Sequence, residues 1–383
     1  MKKLLATILC CAMLVSVTAC SAGNGNNTEP TTPSATTSTE PIANTEAEAD
    51  TKTEMTPDEI KAHIDAILKK KKYEGIVYLT QNGKVVYESA TGKDETGNNL
   101  TVSSSMYIGS VSKQFCATAI MMLKEQGKLS VDDTLDKYFP DYQYGKDITI
   151  KNLLTMRSGI PESPLEESYD FFENTSELNT EPYLNWIFNM PLNFEPDTDY
   201  EYSNPNYLIL SCIVEQVSGQ NYHDFIRENI FKPLEMSNTG FIHEVKDSPE
   251  WVTGLDNSIP LLSEFEGTFT TDEFNLLTRG AGDIVSNAYD MDKWMSGLVS
   301  GKLISRESYQ EMTDNYTTEY ALSYGYGLTS MYHGVGHGGD LYPYTSMNYI
   351  NEEYGYNLFV INNVYYQKHE DLMLSILEPL VYE

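Results

Sequence analysis

The sequence predicts an α+β domain in which an antiparallel sheet is flanked by N- and C-terminal helices and carries a large, mainly helical insertion as a second lobe. Three observations carry this. Two β-prone runs near the start, 76–80 and 84–89, meet at Asn82-Gly83, the strongest short-range hairpin signal. Strand signals return only late: 326–332, 345–350 and 357–361 are rich in aromatic and β-branched residues and separated by Gly or Asn turns. The stretch between, about 125–275, shows mainly helical and loop patterns. Early and late strands would share one sheet, terminal helices would cover it, and the middle would stand apart.

Taken in order, Lys2 and Lys3 precede an apolar run, 4–17, too short to span a bilayer, so residues 1–19 read as a signal peptide. The run ends in Val17-Thr18-Ala19-Cys20, which resembles the bacterial lipobox, where a cysteine at the cleavage site carries diacylglycerol. Cys20 is then the expected lipidation site and mature N-terminus. The following residues to 55 are almost all Ser, Thr, Asn, Glu, Pro, Ala and Gly, a tether that cannot bury enough apolar surface to fold. The folded domain is expected over 56–383. It opens with a helix, because Thr56-Pro57-Asp58-Glu59 has capping-box spacing with proline at the first helical position, and Ile60, Ile64, Ile67 and Leu68 share a face. A second helix is expected from Ser110 to Gly127, another over 207–217, and a closing one marked by Leu372, Ile376 and Leu380.

Composition excludes whole classes of function. Acidic residues number 56 against 25 basic ones, a formal charge of −31, which repels nucleic acid and anionic headgroups and leaves the lipid anchor as the sole membrane contact. The six histidines, at 63, 223, 243, 333, 337 and 369, lack metal-site spacing, and no phosphate loop or dinucleotide fingerprint occurs. No metal or cofactor is expected. Of five cysteines only Cys116 and Cys212 remain in the domain, both in apolar helical contexts and read as buried free thiols.

Ser110-Val111-Ser112-Lys113 is the one Ser-x-x-Lys of the chain. On a helix that spacing sets hydroxyl beside ammonium, and the helix N-terminus offers N–H groups to a forming oxyanion. Tyr-x-Asn occurs three times, at Tyr183, Tyr202 and Tyr349. Tyr202-Ser203-Asn204 is preferred, since it falls in a loop before a helix, where both side chains can face a cleft. Gly336-His337-Gly338-Gly339-Asp340 precedes a late strand, and consecutive glycines let a ligand approach the backbone.

In this order the three motifs resemble the serine β-lactamase and penicillin-binding-protein superfamily, specifically its class C, D-peptidase and esterase branch. The resemblance runs from Thr56 to the C-terminus and includes Leu153-Leu154-Thr155-Met156-Arg157-Ser158-Gly159-Ile160-Pro161, Glu215-Gln216-Val217-Ser218-Gly219, Phe231-Lys232-Pro233-Leu234 and Gly280-Ala281-Gly282-Asp283-Ile284-Val285-Ser286. It implies that Ser110 is acylated, that Lys113 and Tyr202 share proton transfer, and that Asn204 orients them. The N–H groups of Ser110 and Asp340 would form the oxyanion hole beside His337, Gly338 and Gly339. The expected function is a serine hydrolase acting on peptide, amide or ester bonds, with cell-wall D-amino-acid peptides or small esters as substrates. The alternatives are a catalytically silent peptide-binding lipoprotein and a true β-lactamase.

Three departures bear on specificity. His337-Gly338-Gly339 stands where the family often has Lys-Thr-Gly, so a substrate carboxylate loses its clamp. Met156-Arg157 replaces the usual His-Thr, and Tyr342-Pro343 the usual Pro-Gly, which reshapes the rim.

Overall fold

The computed structural model describes residues 55–163, 179–255, 271–314, 324–364 and 369–381, with Ser168, Phe171, Phe172 and Asn174. The expected signal peptide, Cys20 and the tether lie outside these residues.

Helix α1 (Pro57–Lys71) begins as its sequence requires: Thr56 accepts from the Glu59 N–H, and Glu59 accepts from the Thr56 N–H at 2.8 Å. The capping box satisfies two of the donors a helix start leaves open. Strands β1 (Gly75–Gln81) and β2 (Lys84–Thr91) follow, paired from Gly75↔Thr91 to Gln81↔Lys84. Asn82 and Gly83 both have positive φ, 50° and 72°, the backbone of a tight hairpin turn.

The late strands are β6 (Thr329–Met331), β7 (Gly334–Leu341), β8 (Tyr344–Asn351) and β9 (Tyr356–Asn362). They join the early pair in one antiparallel sheet of order β2-β1-β9-β8-β7-β6. Alternation along the central strands buries both faces. Val77, Leu79, Leu358 and Val360 pack under α1 and the C-terminal helix His369–Leu377, whereas Ile76, Tyr78, Phe359 and Ile361 face the larger helical core.

At the centre of that core lies α2 (Ser112–Glu125), with twelve residues from Ser112 to Leu123 buried. Helix Pro205–Ser218 packs on it, and Phe115 stacks on Trp294 at 3.7 Å. Cys116 and Cys212 are buried free thiols, as expected.

Three expectations are corrected. The strand expected over 326–332 narrows to Thr329–Met331, because Tyr324–Leu328 turns back on itself, with the Gly325 N–H bonded to Leu328 O. The Gly336–Asp340 motif lies inside β7 instead of before it, since pairing with β8 along its length outweighs the poor strand propensity of three glycines. A small sheet of Met106–Tyr107 (β3), Ile284–Ser286 (β5) and Gly240–Phe241 (β4) also escaped the sequence. Strands of two or three residues show no period to read.

Candidate active site

Ser110 sits in a single 3₁₀ turn, Gly109–Val111, that leads into α2. Two glycines allow this turn to lie against β7. Gly109 has φ +51°, and a Cβ there would stand 2.9 Å from Asp340 N; a Cβ on Gly339 would stand 2.0 Å from Ile108 O. Ser346 on β8 donates to that same Ile108 carbonyl at 2.8 Å. The turn carrying Ser110 is thereby held at the Gly339-Asp340 step.

One helical turn on, Lys113 is fully buried. Its Nζ lies 3.0 Å from Ser110 Oγ, 2.7 Å from Asn204 Oδ1 and 2.8 Å from Ala281 O. Burial pushes its pKa down to about 7, against the nearby negative charge of Glu162. The contacts then sort themselves. Asn204 Oδ1 and Ala281 O only accept, so each takes one N–H of a neutral amine, and the lone pair faces the Ser110 hydroxyl.

The Tyr202-Ser203-Asn204 loop is cradled by the 153–162 stretch. Met156 O accepts from Glu201 N at 3.1 Å, and Met156 Sδ accepts from Ser203 N at 3.5 Å and Asn206 Nδ2 at 3.4 Å. Arg157 pairs with Asp197 through Nε at 2.7 Å. Met156 and Arg157, one of the three departures from the family pattern, are thus among the residues that hold the loop. Ser203 Oγ donates to Pro161 O at 3.2 Å, and the Asn204 N–H donates to Glu162 Oε2 at 2.6 Å.

Tyr202 is beside Lys113, with Nζ 4.8 Å from its ring centroid. Its hydroxyl is buried and makes no hydrogen bond of ordinary geometry among the described residues, though the Ser110 hydroxyl is close. Burial raises its pKa well above 10. Tyr183 and Tyr349, the competing Tyr-x-Asn positions, serve the core. Tyr183 stacks on Trp186, and Tyr349 donates to Tyr332 O at 2.7 Å.

His337 is 2% exposed. Its Nδ1–H donates to Gly338 O, which leaves Nε2 to accept from the Tyr324 hydroxyl at 3.0 Å. Burial, helped by the Lys113 charge, lowers its pKa to about 3. Both ring nitrogens are occupied and the ring is neutral. Asp340 is exposed, yet desolvation by the groups packed around its carboxyl, with the charge of Glu370, raises it to about 6.

Sequence reasoning missed four contributors. Ala281 acts through its carbonyl, which any residue type offers. Tyr324 and Glu162 belong to no motif. The fourth is a buried amide chain: Trp294 Nε1 donates to Gln114 Oε1 at 2.8 Å, Gln114 Nε2 donates to Asn348 Oδ1 at 2.9 Å, and the His337 N–H donates to that same oxygen at 3.0 Å. It fixes α2 against β7 and β8 directly behind the site.

The fold and this cluster point to one family, and the chain belongs to it: the Beta-lactamase family model matches residues 60–377. Among curated relatives, PbpX of Bacillus subtilis (strain 168), named for the penicillin-binding proteins, is 32% identical over 273 residues, 69% of this chain and 64% of its own length. Protein flp of Staphylococcus aureus (strain NCTC 8325 / PS 47) is 26% identical over 75% of this chain and 59% of its own. The chain therefore spans less than two thirds of each. A solved octameric penicillin-binding protein homologue from Pyrococcus abyssi superposes with TM-score 0.70 and 26% identity, over 85% of this chain and 78% of that one. The D-amino acid amidase from Ochrobactrum anthropi SV3 shares the fold, with TM-score 0.70 and 24% identity over 84% of this chain and 98% of that one.

Proposed function

We propose that this chain cleaves amide or ester bonds through an acyl-enzyme on Ser110, with D-amino-acid-containing wall peptides or small esters as its substrates. The observation that carries the reading is the Lys113 amine, whose two N–H bonds are committed to Asn204 and Ala281.

Magnitudes decide between the two candidate bases. A lysine at about 7 is roughly half neutral at neutral pH, whereas a tyrosine held well above 10 is ionised in fewer than about one molecule in a thousand. Lys113 therefore takes the Ser110 proton as Oγ attacks the substrate carbonyl. The negative oxygen forms against the N–H groups of Ser110 and Asp340. Tyr202, still protonated, relays a proton towards the leaving group, which departs as the amine or alcohol. Attack by water on the acyl-enzyme gives hydrolysis, and attack by an amine gives transfer.

His337 supports a substrate without a free carboxylate at the β7 edge, because it has neither charge nor a free donor to offer one. The D-amino acid amidase neighbour is named for substrates that end in an amide, which fits the same reading. Turnover of short esters and D-amino-acid amides, with a Ser110→Ala control, is the test. The reading fails if neither class is turned over faster by the wild type.

We also propose that Cys20 anchors the domain on the extracytoplasmic face of the bacterial cell membrane through the 20–55 tether. A Cys20→Ala chain should lose the diacylglyceryl mass and leave the membrane fraction; unchanged partitioning would refute the anchor.

A further inference from the structure

Glu162 lies outside every motif, directly after Pro161, yet its carboxylate touches the second residue of the Tyr-x-Asn pair. Glu162 Oε2 accepts the Asn204 backbone N–H at 2.6 Å. Asn204 begins helix Pro205–Ser218 and has no side-chain cap of its own, so this carboxylate supplies the negative partner that a helix start favours. The Asn204 amide then has its orientation decided from both sides. Its Oδ1 must face Lys113, at 2.7 Å, and its NH₂ faces the Glu162 carboxyl, whose pKa burial raises while both Asn204 donors work against that shift.

We propose that Glu162 is a positioning residue for the acylation step: it fixes Asn204 so that the Lys113 amine presents its lone pair to Ser110. The inference rests on the reading of Ser110 as nucleophile and Lys113 as base. A chain of four groups, Glu162, Asn204, Lys113 and Ser110, links a carboxylate on one loop to the hydroxyl on another. Each link is a contact of 3.0 Å or less. Titratable groups facing this chain are few. Among the described residues, Tyr183 is on the Glu162 side; Tyr202 and Tyr207, with ring centroids 4.8 and 5.7 Å from Nζ, and Cys116, Asp283 and His337 are on the Lys113 side. Of these neighbours of Lys113, the Glu162 carboxylate has the largest electrostatic influence, and it favours the ammonium. Removing the charge should therefore free the amine at lower pH.

The test is the second-order rate at which a fluorophosphonate probe modifies the protein, measured across pH. In that reaction the Ser110 Oγ–P bond forms, the P–F bond breaks, fluoride departs and the hydroxyl proton passes to Lys113. Glu162→Gln keeps an acceptor for the Asn204 N–H and loses the charge. Its acid limb should move down by about one pH unit, with a plateau within about threefold of the wild type. Glu162→Ala removes acceptor and charge together, and its plateau should fall about 10- to 100-fold while the melting temperature reports its folding. A purely structural role would lower the melting temperature and leave the acid limb unmoved. An acid limb unchanged in Glu162→Gln, or a full plateau rate in Glu162→Ala, overturns the inference. If the wild type itself is not modified above Ser110→Ala, the reading of the site fails instead, so the two failures are distinct.

Discussion

A lysine without water is the most consequential side chain in this molecule. Lys113 is fully buried, and among the described residues its amine has Asn204, Ala281 and Ser110 to replace solvent. Desolvation penalises the charged form, and this alone turns an ordinary ammonium into a base usable near neutrality. Since the neutral form is the active one, kcat/KM should rise with pH through an acid limb near 7 and stay flat until Tyr202 begins to ionise above 10. A limb in the carboxylate range, near 4 to 5, would assign the base to another group. The serine and lysine were legible because their spacing on a helix carries meaning. Glu162 and Ala281 were not, because one makes its contact to a backbone N–H and the other through a backbone carbonyl, and neither signal exists in residue type.

At the scale of elements, the site is a junction of three pieces held by polar groups that packing alone would not place. The 3₁₀ turn Gly109–Val111 and α2 behind it bring Ser110 and Lys113, the 199–204 loop brings Tyr202 and Asn204, and β7 brings His337 to Asp340. Asn348 locks the first to the third, since its Oδ1 accepts from both Gln114 and His337 N. Asn348→Ala leaves those two donors buried without that acceptor, while the Gln114 carbonyl keeps Trp294 Nε1. It should cost about 2–4 kcal/mol in urea unfolding, and probe labelling should fall even at temperatures where the variant is folded. A loss below about 1 kcal/mol would show that the junction is held by apolar packing. The hairpin at Asn82-Gly83 and the capping box at Thr56 were readable because each is a local device of four or so residues. The Trp294, Gln114 and Asn348 chain joins positions more than 50 residues apart, and the two-residue strands β3 and β4 have no pattern at all.

The whole molecule bears a cost for this site. Folded Lys113 releases its proton near 7, whereas in the unfolded chain it holds it to about 10.5. Between those values unfolding takes up a proton, so raising the pH stabilises the folded state. Relative to Lys113→Met, which has nothing to titrate there, the wild type should gain about 2 kcal/mol between pH 7 and 9. Parallel stability curves for the two proteins would mean that the lysine is not desolvated. The architecture of the molecule was legible where the period of two was strong, in β1, β8 and β9, and it misled at β7. There the glycines that weaken a strand are the residues that let the Ser110 turn approach.

The central claim is that Ser110 is the nucleophile. Intact-mass analysis of the wild type and of Ser110→Ala after exposure to a fluorophosphonate, with peptide mapping of any adduct, tests it most directly. The wild type should gain one phosphonyl group, located at Ser110, and the variant none. An adduct on another residue, or equal labelling of both proteins, would contradict it.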